Sequence, residues 1–191
     1  GAIILGYDDD KCESLANRIS KPIVFVDSGE GNYDNIGLED FKGAYEMTSY
    51  LIRQCHKKIV FFADYLGDTC HSNKERLRGF KCAMEANNLP YDDAETIYLP
   101  EDRYLRKEIL RKFARRKAGS VYTAGLFFSD FLANEAISVF FSQGIRVPDE
   151  FSVAGFDDNV YARLSRPALT TVRQYPDEKG AEAVKLLMKR I

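Results

Sequence analysis

Short apolar runs alternate along the chain with longer stretches in which apolar residues recur every three or four positions. That alternation predicts repeated βα units built around mainly parallel sheets. The runs AIIL (2–5), PIVFV (22–26), KIVFF (58–62), ETIYL (95–99), AGLFF (124–128) and SVAGF (152–156) read as strands. Helices are predicted over 11–19, 39–54, 73–87, 101–117, 130–142 and 177–190. In the second of these, Phe41, Ala44, Tyr45, Thr48, Leu51 and Ile52 share one face, which marks it as buried. Sheets covered by helices on both faces follow, without an internal repeat, a low-complexity tract or a Pro-rich linker.

Such a topology says where to look for chemistry. In open parallel sheets ligands sit beyond the carboxyl ends of the strands, where loops from several units converge. The residues following the predicted strands are Tyr7 to Asp10, Asp27-Ser28-Gly29, the stretch 64–72, Pro100-Glu101-Asp102, Ser129-Asp130 and Asp157-Asp158-Asn159. Carboxylates and hydroxyls dominate them. These groups suit the directional hydroxyls of a sugar or similar polyol, whereas a phosphate would call for glycines and helix N-termini. The pair of glycines at Gly29 and Gly31 is a weak phosphate signal, since no Gly-x-Gly-x-x-Gly follows.

Charge narrows the choice. Lys and Arg total 27 against 29 Asp and Glu, a formal net charge of -2. Proteins that grip nucleic acid usually carry a basic excess, because counterion release from phosphate drives binding. A DNA-binding part, if the protein has one, is expected outside these 191 residues. The apolar share of 45% and charged share of 29% fit a folded globular class and exclude collagen-like or disordered ones. Cys12, Cys55, Cys70 and Cys82 never form Cys-x-x-Cys, and the only histidines are His56 and His71. Neither a structural zinc site nor a disulfide framework is expected, and free thiols suit a cytoplasmic location. No membrane span, no cofactor and no metal are expected; the opening GAIILGY reads as an interior strand rather than a leader.

The segment GIRVPDEFSVAGFDDNVYARLSRPALTTVRQ (144–174) closely resembles the corresponding stretch of regulators of the lactose-repressor (LacI/GalR) family. ERLRGFKCAM (75–84) is similar to that family's Glu-Arg-x-x-Gly-Phe helix start, and MTSYLIRQCHKKI (47–59) to another of its segments. The resemblance implies an α/β, two-lobe periplasmic-binding-protein-like fold, each lobe a mainly parallel sheet flanked by helices. It places an N-terminal lobe at 1–38 plus 159–191 and a C-terminal lobe at 39–158. It also implies a small-molecule effector, a sugar or sugar derivative with a purine as alternative. Operator DNA would be bound through a helix-turn-helix headpiece that these residues do not include, and the regulator would work as a homodimer.

The same resemblance assigns the ligand-binding arginine to Arg76 and the acidic ligand holder to Asp157, with Asp158 expected to cap the following turn. Against this stands a plainer reading of Arg76 as one more surface charge in NKERLR. Ser129 replaces the family's usual asparagine, and its plainer role is a helix N-cap. Glu39, with Asp40 beside it, stands where the family often has Asp at the first lobe crossing. Tyr7, Ser72 and Cys70 are further wall candidates, His56 is read as structural, and Phe131 and Phe140 are candidates for subunit contact. Two other classes compete. A periplasmic sugar-binding protein of a transport system would share the fold, and Asp8, Asp10, Asp157 and Asp158 could in principle serve a metal-dependent phosphatase. The latter lacks a Ser–His pair or a lysine placed to finish the chemistry, so the chain is read as a binding protein and not an enzyme.

Overall fold

A computed structural model describes residues 1–6, 9–29, 31–37, 39–66, 70–117 and 121–191, without the side chains of 9, 10 and 117. The chain divides into two compact units: Gly1–Glu39, Asp68–Ser72 and Gln174–Ile191 form the first, and Asp40–Gly67 with Asn73–Arg173 the second.

In the first unit, β1 (Ala2–Leu5), β2 (Ile23–Val26) and β3 (Asn35–Ile36) make a parallel three-stranded sheet. Alternation along β2 sends its side chains to opposite faces. Ile23 and Phe25 meet Cys12 and Leu15 of α1 (Asp9–Arg18), while Val24 and Val26 meet Ala183 and Leu187 of α7 (Pro176–Met188).

The second unit holds a five-stranded parallel sheet in the order β5-β4-β6-β7-β8, formed by Ile97–Leu99, Ile59–Asp64, Ala124–Phe127, Ser152–Asp157 and Thr170–Arg173. Val60 and Phe62 of β4 pack towards α4 (Arg103–Lys117) and α5 (Asp130–Ser142), around Leu110, Phe113, Ala136 and Phe140. Ile59, Phe61 and Ala63 pack on the other face towards α2 (Asp40–Arg53) and α3 (His71–Ala86), around Met47, Leu51, Phe80 and Met84. Each such aromatic or aliphatic side chain taken from water contributes about 1.5–3 kcal/mol. With both faces covered, the central strands read as unbroken apolar runs instead of alternating ones.

Strand order reverses at β4. From β4 the chain crosses by α3 to β5 on one side, then returns by α4 to β6 on the other. In doubly wound sheets such a switch point, here at the carboxyl ends of β4 and β6, is the place where ligands bind.

The second lobe boundary lies later than the family resemblance implies. Residues 159–173 belong to the second unit because β8 pairs with β7, Gly155 standing opposite Thr171, and α6 (Val160–Leu164) packs with α5. Phe140, expected as a subunit contact, is wholly buried in the α4–α5 core, whereas its neighbour Phe141 is 83% exposed.

Candidate functional site

Arg76 lies in α3, and of the three basic residues in its run only this one turns inward. Arg78 stays exposed and pairs with Glu75, while Lys74 faces solvent. The Arg76 side chain is 5% exposed, so its charge must be matched within the protein. Its Nε donates to Asp40 Oδ1 at 2.7 Å, and Asp40, at the first position of α2, is equally buried. Nη1 donates to the carbonyl of Phe128, just past β6, and lies 3.8 Å from Asp157 Oδ1 at the end of β7. The two faces of the guanidinium are covered by the rings of Phe156, 3.8 Å from Cζ, and Phe128, 4.4 Å from it. A planar cation between two π faces, with donors along its edge, is a place that arginine fits and lysine does not.

The approach of α3 to α2 makes this clamp possible. Gly79, one turn beyond Arg76, lies so close to α2 that a Cβ would stand 2.2 Å from the carbonyl oxygen of Phe41. Glycine is required there for packing, and Asp40 is thereby brought within reach of Arg76.

Asp157 has φ +123° and Asp158 φ +54°, consecutive positive values that few non-glycine residues adopt. The turn is held from several sides. Asp158 N–H donates to Thr171 Oγ1 at 3.3 Å, Asn159 Nδ2 donates to Asp157 Oδ2 at 3.3 Å, and Asn159 N–H donates to Asp130 Oδ2 at 2.9 Å. Asp158, expected to cap the turn, instead faces Arg173 at 3.7 Å and Arg163 at 3.9 Å. The cap is Asn159, whose Oδ1 accepts from Tyr161 N–H at 2.9 Å, because it occupies the extended position before α6.

Ser129 serves as the N-cap of α5, its Oγ accepting from Leu132 N–H at 3.4 Å, and adjoins the Phe128 carbonyl that holds Arg76. Glu39 is exposed and Ser72 half-buried, and both group with the first unit, so it is Asp40 and not Glu39 that meets Arg76. Tyr7 and Asp8 lie outside the described residues. His56 sits in the turn before β4, its Nδ1 2.8 Å from Thr123 Oγ1, and burial lowers its pKa. Among the described residues no three His, Cys, Asp or Glu side chains converge as metal ligands. No helix there is long and apolar enough to cross a membrane.

Residue type alone could not single out Asp40, Phe128 and Phe156 as the partners of Arg76. An acidic residue at a helix start and aromatic residues at strand ends read as cap and core. The first unit carries a comparable unforeseen pair: Lys179 Nζ donates to both carboxylate oxygens of Asp27, at 2.9 and 2.7 Å, at the end of β2.

Parallel sheets with a polar, arginine-centred cluster at the carboxyl ends of the strands define a ligand-binding class. The chain belongs to the periplasmic binding protein-like domain family, whose model matches residues 48–191. It is 35% identical over 190 residues to the HTH-type transcriptional repressor PurR of Pasteurella multocida (strain Pm70), covering 97% of this chain and 55% of that protein. The repressor of the same name from Haemophilus influenzae (strain PittEE) is 33% identical over 189 residues, covering 97% of this chain and 54% of the relative. The chain thus spans about half the length of the curated relatives it matches. Among solved structures, the transcriptional regulator CelR–cellobiose complex superposes with a TM-score of 0.86 at 25% identity, covering 100% of this chain and 58% of that one. A LacI family transcriptional regulator from Mycobacterium smegmatis shares the fold with a TM-score of 0.86 at 24% identity, over 99% of this chain and 69% of the other.

Proposed function

We propose that this chain is the effector-binding part of a cytoplasmic DNA-binding transcriptional regulator, a binding protein and not an enzyme. Its effector is a small polyhydroxyl molecule, a sugar or sugar derivative, held at the Arg76–Asp157 cluster. Occupancy of that cluster changes the affinity of a separate headpiece for operator DNA. The observation that carries the reading is the buried Arg76, fixed by Asp40, Phe128 and Phe156 beside the Asp157 carboxylate at the strand ends. So immobilised an arginine offers directional donors with little conformational entropy left to lose, and Asp157 supplies an acceptor next to it. The relatives at 33–35% identity are named transcriptional repressors, which favours a regulator over a transport protein. Their name PurR also supports a second reading, in which the effector is a purine.

Calorimetric titration of the full-length regulator with glucose, cellobiose, adenine and guanine tests these readings. Binding of a sugar is expected, and Arg76→Ala should weaken it by about 2–5 kcal/mol, the usual loss when one partner of a buried charged contact is removed. Binding of a purine alone would select the second reading, and unchanged affinity in the variant would take Arg76 out of the site. Repeating the titration with saturating operator DNA should shift effector affinity by a factor worth about 1–3 kcal/mol, as linkage requires. Equal affinities would overturn the regulatory role.

We further propose a homodimer. Phe131 and Tyr161 meet at 5.4 Å on the surface and, with the exposed Val160 and Leu164, form an apolar face on α5 and α6. A second copy related by two-fold symmetry would cover it, as paired operator half-sites demand.

A further inference from the structure

Within the reading of the Arg76 cluster as the effector site, we infer that the effector is uncharged, and that phosphorylated or carboxylated ligands are rejected. The inference comes from what Arg76 has left to give. Its Nε is committed to Asp40 at 2.7 Å, and Nη1 to the Phe128 carbonyl with Asp157 Oδ1 3.8 Å away. Both π faces are covered by Phe128 and Phe156. Only the Nη2 edge meets no acceptor among the described residues.

That edge offers two N–H groups but no surplus charge. One guanidinium already faces two carboxylates, Asp40 and Asp157, so an incoming anion would gain a single-nitrogen contact while lying a few ångströms from like charges. Anion recognition by arginine ordinarily uses the fork, two parallel N–H groups against two oxygens, and here Nε is spent on Asp40.

The other usual source of anion affinity is taken at four of the helices of this unit. Helix N-termini attract phosphate through unpaired N–H groups. Along this edge of the sheet α2 opens on Asp40, α5 has Ser129 on Leu132 N–H with Asp130 in its first turn, and α6 has Asn159 on Tyr161 N–H. At α4, Asp102 Oδ1 accepts from Leu105 N–H at 2.8 Å. The nearby cations Arg163 and Arg173 face Asp158. A ligand that brings hydroxyl or amide groups fits these donors and acceptors; one that brings a formal negative charge meets the two carboxylates without an arginine fork.

The test compares neutral and anionic probes on the full chain by calorimetry at constant ionic strength. Glucose and cellobiose are set against glucose 6-phosphate, gluconate and inorganic phosphate, on the wild type and on Asp157→Asn. Asparagine tolerates positive φ as well as aspartate does, so the variant retains the turn. Wild-type protein is expected to bind none of the anions. Asp157→Asn should bring inorganic phosphate into measurable binding, at least about tenfold tighter than the limit set by the silent wild type, because one like charge has gone. Wild-type binding of phosphate, gluconate or glucose 6-phosphate that Arg76→Ala abolishes would overturn the inference, as would a lack of any gain in Asp157→Asn. Failure of the site reading itself looks different: a neutral sugar binds, and its affinity is unmoved by both Arg76→Ala and Asp157→Asn.

Discussion

Asp130 shows how one buried carboxylate organises the turn that carries Asp157. It is fully buried, its Oδ1 accepts from the Thr171 hydroxyl at 2.5 Å, and its Oδ2 accepts from Asn159 N–H at 2.9 Å. Gly155 leaves it room, since a Cβ there would stand 2.4 Å from Oδ1. Burial raises the Asp130 pKa above its ordinary 3.8, and the two hydrogen bonds pull it partly back. The folded state therefore holds this proton more tightly than the unfolded chain does. Its contribution is complete below the ordinary value and declines as pH climbs through the raised one. Asp130→Ala strands two half-buried donors and should cost about 1–3 kcal/mol in urea denaturation at neutral pH. Asp130→Asn, which can turn its amide towards Thr171 Oγ1, should cost less, and its stability relative to wild type should improve as pH rises from the ordinary carboxylate value through the raised one. A constant difference across pH would show that Asp130 does not titrate in this way. Residues of this kind are poorly legible in sequence: Asp130 reads as an N-terminal helix acid, and Glu39 and Asp40 are indistinguishable until burial separates them. Arg76 was legible only through the Glu-Arg-x-x-Gly-Phe resemblance, because Lys74 and Arg78 carry the same charge.

At the level of elements, periodicity served well wherever a segment was long enough to have a period. Helix α5 spans 130–142 as its pattern predicts, and every strand in the six apolar runs is present within about two residues. The two-residue β3 and the five-residue α6 are too short to carry a pattern, and β8 lies outside the six apolar runs. The fourth helix begins at Arg103 and not at 101, since Asp102 turns its side chain to cap it. Glycine 79 illustrates what pattern cannot supply, the distance between two helices. Gly79→Ala should push α3 away from the Phe41 carbonyl, loosening Asp40 from Arg76 and costing about 1–3 kcal/mol by overpacking. Chemical denaturation measures that loss, and an alanine variant as stable as wild type would mean the helices separate freely.

For the whole molecule, the resemblance over 144–174 indicated the fold but set the second lobe boundary too early, because chain order does not reveal that β8 completes the larger sheet. Sedimentation velocity of the full-length protein at micromolar concentration should give a dimer, and substituting Val160 and Leu164 with Asp should dissociate it. A wild-type monomer would remove the proposed two-fold arrangement. The division of the chain bears on synthesis as well as on assembly. The second unit is complete once Arg173 has been made, whereas the sheet of the first unit receives its covering helix α7 only from Pro176–Met188, the last helix made here. On the ribosome, where domains fold as units while the chain emerges, the larger unit should mature first. The first unit waits with Val24 and Val26 uncovered, a window in which a chaperone has something to hold.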